Sequence, residues 1–245
     1  MVSANKYSQL DKNTVDAANQ LHGEGPVRFL NPTGKGRKIM LVGNSMTLHG
    51  VNEPIGWHRE CGMAASAPER DYVHRLQALL AGDCVICICQ VSAWERDYKT
   101  GSDLLSRYAA ARDFGADVVV LRAVENCPKD AFDPALFRQA LEQLLRYLNP
   151  KGGKLVLTTG FWHHPGDDTI RALAQDWKTP LVEPSVGADA HIGPSSVTLV
   201  ELGDLGERDE MKAIGLYAHK GVANHPGDAG MSAMASRIHA AMDNG

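Results

Sequence analysis

The sequence lacks the features that mark membrane and nucleic-acid-binding proteins. No stretch is apolar over the roughly 20 residues that a membrane-spanning helix needs. Positive charge is not in excess, because 25 lysines and arginines stand against 29 aspartates and glutamates, giving a net charge of -4. We therefore expect neither a nucleic-acid partner nor a membrane partner. The first 20 residues are polar and lack the apolar core of a secretory signal, which predicts a cytoplasmic location.

Cysteine is also scarce, and its pattern does not favour a metal site. Three of the five cysteines, Cys84, Cys87 and Cys89, share one short apolar run. In a strand, Cys87 and Cys89 would lie on one face and Cys84 on the other, so the three thiols could not converge on one zinc ion. We predict buried thiols, no metal and no cofactor. An odd number of free cysteines also suits a reducing compartment.

Short apolar runs alternate with helical patterns about five times along the chain. The runs predicted as strands are residues 39–42, 84–91, 118–121, 155–157 and 180–182. The patterns predicted as helices are residues 70–81, 104–114, 135–148, 169–177 and a terminal apolar stripe over 231–242. This alternation predicts a three-layer α/β/α domain with a five-stranded parallel, flavodoxin-like sheet.

The domain organisation predicted from this pattern is simple. Residues 1–37 are polar and rich in turn residues, and we interpret them as an N-terminal arm that packs on the domain or frays. Residues 38–245 form the predicted domain, with 185–224 as a long excursion that carries His225 into place. Parallel sheets bind ligands at the carboxyl ends of their strands, so functional residues are expected in the loops that follow them.

Two loops carry candidate catalytic residues. Ser45 follows the first predicted strand on a turn that Gly43 permits, where its hydroxyl could act as a nucleophile. Far downstream, His225 precedes Pro226 at the entrance to the terminal helix, a suitable place for a general base. Taken separately, each piece fits ordinary turn or helix-capping chemistry equally well.

Taken together, these segments resemble the conserved blocks of the SGNH/GDSL hydrolases. Gly43-Asn44-Ser45 resembles the first block of that family, and residues 225–231, His-Pro-Gly-Asp-Ala-Gly-Met, resemble the last. Between them, Gly62 stands where the second-block glycine is expected, and Asn126 where the third-block asparagine is expected. The resemblance covers residues 38–244 and keeps the order of the blocks.

The resemblance implies a serine esterase without a cofactor. Ser45 would attack an ester carbonyl, and His225 would take the serine proton and return it to the leaving alcohol. The oxyanion would be held by the backbone N–H groups of Ser45 and Gly62 and by the Asn126 amide. A side chain at position 62 could block the close approach of the substrate, which would explain the glycine.

The sequence departs from the family at the third member of the triad. The aspartate expected three residues before the histidine is replaced by Val222. A backbone carbonyl near Val222 or Ala223 could orient the imidazole instead. The result would be a Ser45–His225 dyad in which the histidine has a pKa of about 6.5. An acid from elsewhere could also serve, and the candidates are Glu125, Glu201 and Asp204.

The substrate is the least specified part of the prediction. The residues expected to contact it, or else to pack within long loops, are Asn44, Trp57, Glu125, Trp162 and His163. Resemblance to acetylesterase-like members of the family favours a small acyl group, such as acetyl, on a carbohydrate. Lipase, thioesterase and acyltransferase activities occur on the same scaffold, and a catalytically silent binding module is the main alternative. A nucleotide-binding flavodoxin-like protein has little support, because no glycine-rich phosphate cradle follows the first strand.

Overall fold

The protein is described by a computed structural model that covers residues 21–80, 83–178 and 194–243. Its centre is a six-stranded sheet with the spatial order β1-β3-β2-β4-β5-β6. In chain order the strands are β1 (Val27–Leu30), β2 (Lys38–Gly43), β3 (Val85–Gln90), β4 (Val118–Arg122), β5 (Lys154–Thr158) and β6 (Val197–Val200). Strand β1 pairs antiparallel with β3, and every other pair is parallel.

The five parallel strands confirm the predicted flavodoxin-like topology. Counted along the chain, their order across the sheet is second, first, third, fourth and fifth. The fifth parallel strand is β6, which lies within the segment that the sequence predicted to be an excursion without a strand. The strand predicted at residues 180–182 lies outside the described residues. Because β2 sits between β3 and β4, the order reverses there, and the loop after β2 opens at the switch point where such sheets bind ligands.

Eight α-helices lie within the described residues, and most of them cover the two faces of the sheet. They are α1 (Tyr72–Leu79), α2 (Ser92–Arg96), α3 (Ala109–Phe114), α4 (Pro134–Leu148), α5 (Asp167–Trp177), α6 (Gly203–Gly206), α7 (Lys220–Ala223) and α8 (Asp228–Asp243). Segments of 3₁₀ helix occur at Glu53–Ile55, Pro68–Arg70, Tyr98–Tyr108 and Asp209–Met211. The helix predicted over 104–114 is therefore split between a 3₁₀ segment and α3.

Two separate hydrophobic clusters fill the space between the sheet and its helices. One cluster joins one face of the sheet to α2, α3, α4 and α5, and the other joins the opposite face to α1, α6 and α8. Cys87 and Cys89 lie in the first cluster and Cys84 in the second, as strand alternation predicted. The predicted three-layer α/β/α architecture is therefore confirmed.

Helix α4 illustrates why the sequence folds this way. Asp133 caps its N-terminus by accepting hydrogen bonds from the N–H groups of Ala135 and Leu136, and Pro134 occupies the first helical position. Its buried side chains recur at helical spacing and face the sheet. They are Phe137, Ala140, Leu141, Leu144, Leu145 and Leu148. Asn149 and Pro150 then end the helix.

Two further observations concern the ends and the surface of the domain. Strand β1 belongs to the segment interpreted as an N-terminal arm, and it protects the outer edge of β3. Among the helices described, none combines the length and the apolar character needed to cross a membrane. Within the same ranges, no group of three histidine, cysteine or carboxylate side chains is arranged to hold a metal ion.

Close packing of α6 against the loop after β5 gives a test of the fold. A Cβ atom on Gly206 would lie 1.8 Å from the carbonyl oxygen of Phe161, a backbone atom that cannot rotate away. We expect Gly206→Ala to lower the free energy of unfolding by about 1–3 kcal/mol, since overpacking outweighs the helix-propensity gain of at most about 1 kcal/mol. Gly50→Ala is the control, because a Cβ there meets nothing within 4 Å. Urea denaturation measures both, and equal midpoints for the two variants would contradict the packing.

Candidate active site

The turn after β2 presents Ser45. Gly43 is the last residue of β2, and glycine is required there because a Cβ atom would lie 1.9 Å from Thr47 Oγ1 and 2.9 Å from the Arg122 carbonyl oxygen. The Thr47 N–H donates to the Asn44 carbonyl oxygen at 2.9 Å, which closes the turn. Ser45 is half-buried, whereas both of its neighbours in the turn are buried. The serine is thus the residue of this turn that a ligand at the switch point would meet.

The hydroxyl of Ser45 is paired with the imidazole of His225. Ser45 Oγ lies 2.9 Å from His225 Nε2, and His225 Nδ1 lies 2.6 Å from the carbonyl oxygen of Gly221. A carbonyl oxygen can only accept, so Nδ1 carries the ring proton and Nε2 presents a lone pair to the serine hydroxyl. This is the tautomer that can remove a proton from Ser45.

Backbone hydrogen bonds hold His225 from both sides. Its N–H donates to the Val222 carbonyl oxygen at 2.9 Å, and its own carbonyl oxygen accepts from the Ala213 N–H at 2.9 Å. One residue further on, Lys212 and Pro226 form an isolated bridge that continues this pairing. The imidazole therefore projects from a fixed stretch of chain at the entrance to α8.

The position at which the family has an aspartate lies in the interior. Val222 is fully buried in a small cluster with Trp57, Cys61 and Ala213. A carboxylate introduced there would be surrounded by apolar side chains rather than directed at the histidine. We therefore do not expect a Val222→Asp variant to supply the missing acid. The partner of Nδ1 is a backbone carbonyl, that of Gly221, one residue before the positions that the sequence suggested.

The three acids considered as replacements all bind other groups. Glu201 binds Arg171 with both carboxylate oxygens, and Asp204 binds Arg237 in the same way. Glu125 accepts hydrogen bonds from the side chains of Asn44 and Arg122 and from the Phe161 N–H. None of the three therefore orients His225, and these candidates are corrected.

Burial sets the protonation state of His225. Desolvation lowers the pKa of His225 to about 4, the hydrogen bond to the Gly221 carbonyl raises it in part, and the positive charge of Arg122 lowers it further. The Trp162 ring contributes to this burial, with its centroid 5.2 Å from that of the imidazole and the planes at 85°. The expected value near 6.5 is thus corrected downward, and the imidazole is neutral at pH 7.

A buried arginine lies beneath the turn. Arg122, the last residue of β4, has no exposed surface and donates to Glu125 Oε1 at 2.7 Å and to the side-chain oxygen of Asn44. Glu125 Oε2 accepts from Asn44 Nδ2 at 2.7 Å, and Oε1 accepts from the Phe161 N–H at 2.9 Å. Burial raises the pKa of Glu125, but the Arg122 charge and these hydrogen bonds outweigh it and leave the pKa below its ordinary value. The network joins the loops after β2, β4 and β5.

A second buried carboxylate, Glu95 of α2, extends this network. Its Oε1 accepts from Asn44 Nδ2 at 3.0 Å and from the Val124 N–H at 2.6 Å, and its Oε2 accepts from Asn126 Nδ2 at 2.7 Å. Burial and the charge of Glu125 raise the pKa of Glu95, against the effect of the amide hydrogen bonds. Sequence reasoning missed both Glu95 and Arg122. The available signals were a cation directly after the apolar run of β4 and an acid shortly after β3.

The predicted oxyanion donors differ in their surroundings. Asn126 is half-buried and uses one amide hydrogen for Glu95, which leaves the other for a ligand. No acceptor for the Ser45 N–H occurs among the described residues. The Gly62 N–H, by contrast, donates to the buried carboxylate of Asp71 at 2.9 Å. A Cβ atom on Gly62 would lie 2.4 Å from the Met46 carbonyl oxygen, so this glycine is required by internal packing rather than by substrate approach.

Three of the residues predicted to contact substrate lie in the interior. Asn44 is 1% exposed and the Glu125 side chain 5% exposed, and both belong to the network around Arg122. Trp57 is fully buried and packs against Tyr217, with ring centroids 6.0 Å apart. For these three the expectation of substrate contact is corrected, because a buried side chain has no surface to offer.

The other two predicted contact residues reach the surface. Trp162 is half-buried and lies directly against the imidazole of His225, as described above. His163 is exposed and binds the carboxylate of Glu207 at 2.8 Å, with its ring over Gly203 at the start of α6. The geometry thus brings Trp162, but not His163, into contact with the Ser45–His225 pair.

Comparison with known proteins gives a distant structural likeness. No family model matches the sequence, and no curated protein matches it. Among solved structures, the chain is similar to a G-D-S-L family protein from Desulfitobacterium hafniense DCB-2, provisionally described as lipolytic. The two share 12% sequence identity, and the similarity covers 84% of this chain and 99% of the other with a TM-score of 0.49.

The half-buried and desolvated imidazole of His225 gives a pH-dependent prediction. Because the folded state favours neutral His225, the unfolded chain takes up a proton first as the pH falls, and the folded state loses stability between pH 6.5 and about 4. A ¹H–¹³C NMR titration of the His225 ring should give a midpoint near 4. Trp162→Ala should move the midpoint upward by admitting water. A midpoint near 6.5 in the unmodified protein would contradict the described burial.

Proposed function

We propose that this chain is a serine esterase of the SGNH/GDSL type, with Ser45 as nucleophile and His225 as general base. The observation that carries the proposal is the 2.9 Å contact between Ser45 Oγ and His225 Nε2, combined with the Gly221 carbonyl on Nδ1. The two residues are 180 positions apart in the chain and meet at the switch point of the sheet. The order of the four sequence blocks that resemble the family supports the same assignment.

The chemistry proceeds in two halves. In the first, Ser45 Oγ attacks the acyl carbon of the ester while Nε2 of His225 takes the hydroxyl proton. The tetrahedral intermediate collapses, the C–O bond to the alcohol breaks, and Nε2 returns the proton to the leaving oxygen. In the second half, water attacks the acyl-serine with the same histidine as base, which releases the carboxylic acid and restores the Ser45 hydroxyl.

Two donors are proposed for the oxyanion. The Ser45 N–H and the remaining amide hydrogen of Asn126 would stabilise the negative oxygen, each by on the order of 3 kcal/mol in the transition state. Gly62 is left out because its N–H is bound to Asp71. The Gly221 carbonyl orients the imidazole but supplies no full negative charge, so the imidazolium formed in the transition state is less stabilised than in a triad. Turnover should be modest for this reason.

For the substrate we propose an ester of a small acyl group, such as acetyl, on a carbohydrate or another small alcohol. The half-buried Trp162 beside His225 offers an aromatic surface for the alcohol part, a common way to bind a sugar face. A lipase, a thioesterase or an acyltransferase would use the same serine and histidine. The second candidate function is a binding module without catalytic activity. It is favoured by the contact of His225 Nδ1 with a backbone carbonyl rather than with an acid.

Substitution of the nucleophile separates the esterase from the binding module. We expect Ser45→Ala to lower the hydrolysis of p-nitrophenyl acetate by at least about 10³-fold while leaving the unfolding midpoint unchanged. Ser102→Ala, which removes an exposed hydroxyl far along the chain, should retain full activity. A wild-type protein no faster than Ser45→Ala would reject the esterase. Chromogenic esters of increasing acyl length, together with a thioester, then identify the preferred acyl group.

A further inference from the structure

Glu95 stands out among the buried groups that the proposed reaction does not use. It lies on α2, is fully buried, and its carboxylate accepts from three N–H donors at 2.6 to 3.0 Å. Two of the donors are side-chain amides, that of Asn44 beside the nucleophile and that of Asn126 in the proposed oxyanion hole. One carboxylate therefore contacts both the turn that carries Ser45 and the loop after β4.

Three donors on two oxygens are best satisfied by an ionised carboxylate, against the burial and the Glu125 charge that raise the pKa of Glu95. A protonated Glu95 would have to donate through one oxygen, and the nitrogen of a neighbouring amide cannot accept. An ionised Glu95 also decides which end of the Asn126 amide faces it, because only the nitrogen can donate. With the nitrogen held there, its second hydrogen is directed by the amide plane rather than by chance rotation of the side chain.

We propose that Glu95 is a positioning residue: it fixes the amide of Asn126 so that one hydrogen remains aimed at the developing oxyanion. The proposal rests on the proposed esterase function. Glu95 is fully buried, so it acts through Asn126 and never touches substrate. Through Asn44, the same carboxylate also steadies the turn that carries Ser45.

The charge of Glu95 distinguishes positioning from simple packing. Arg122 is already paired with Glu125 at 2.7 Å, and none of the described hydrogen bonds of Glu95 comes from a cation. A second buried carboxylate without a direct cation is costly, and a neutral glutamine of the same shape would fill the space at lower cost. Retaining the carboxylate makes sense if both of its oxygens must accept.

Glu95→Gln tests this requirement with little change in volume. The glutamine oxygen is expected to stay with the two donors from Asn44 and Val124, which leaves its NH₂ group facing Asn126. Two NH₂ groups cannot bind each other, so the Asn126 amide should turn over and withdraw its donor from the oxyanion. We expect kcat for p-nitrophenyl acetate to fall about 10²-fold, with KM little changed, since the interaction is made in the transition state.

A double-mutant cycle shows whether Glu95 acts through Asn126. Asn126→Ala alone should lower kcat by roughly 10²–10³-fold, and Glu95→Gln should have no further effect in that background. Glu142→Gln, which alters a carboxylate paired with Arg138 on α4, is the matched control and should behave as wild type. Unfolding midpoints of all variants are measured alongside. If Glu95→Gln does not fold, Glu95→Asp, which keeps the charge but withdraws the oxygens, replaces it in the same cycle.

The outcomes separate this proposal from the esterase itself. If Asn126→Ala is impaired but Glu95→Gln has the wild-type kcat, positioning is wrong and the esterase stands. If Glu95→Gln lowers kcat equally in both backgrounds, its role is structural and the proposal is again overturned. If wild type and Ser45→Ala hydrolyse equally, the esterase fails. In that case the side-chain ¹H–¹⁵N resonances of Asn126 test whether Glu95 positions the amide. Positioning predicts that these resonances shift in Glu95→Gln, and unchanged resonances would contradict it.

Discussion

The site depends on one constraint, the neutralisation of a fully buried arginine. Arg122 ends a central strand with no contact with water, and an unpaired guanidinium there would cost several kcal/mol. Its partners, Glu125 and Asn44, come from the loops after β4 and β2, and Glu125 continues to the backbone of Phe161 after β5. Pairing of the two terminal guanidinium nitrogens thus fixes three strand-end loops against one another. The turn that carries Ser45 is one of the three.

Above this network, hydrogen bonding and burial set the orientation and the protonation state of His225, and no carboxylate contacts its ring. The Gly221 carbonyl selects the tautomer, and burial beside Trp162 keeps the imidazole neutral. The position at which the family has an aspartate also differs in its surroundings. Val222 occupies an apolar cluster that a carboxylate would disrupt. The same backbone path that buries Val222 brings the Gly221 carbonyl to Nδ1. We therefore interpret this arrangement as one that keeps the orientation of the imidazole but lacks the negative charge that would stabilise an imidazolium.

Sequence patterns were sufficient for the layered fold and for the two residues at the centre of the site. Alternation of β-branched runs and amphipathic helices predicted four of the five described parallel strands, and block order paired Ser45 with His225. Strand β6 was missed because it has only four residues and the segments on either side of it are polar. Arg122, Glu95 and the Asp71 contact of Gly62 were missed for another reason. Their roles depend on hydrogen bonds between side chains and loops that meet only in the folded protein. The periodicity of a local sequence segment does not predict such contacts.

The most direct test of the central claim is covalent labelling with a serine-directed fluorophosphonate, read by mass spectrometry of the intact protein and of its peptides. A serine activated by a neutral histidine should form one phosphonate adduct, located on Ser45, at pH 7. Replacement of His225 by alanine should slow the reaction to the rate of an ordinary serine, because the base would be gone. The absence of an adduct in the unmodified protein, or an adduct on another serine, would contradict a Ser45–His225 dyad.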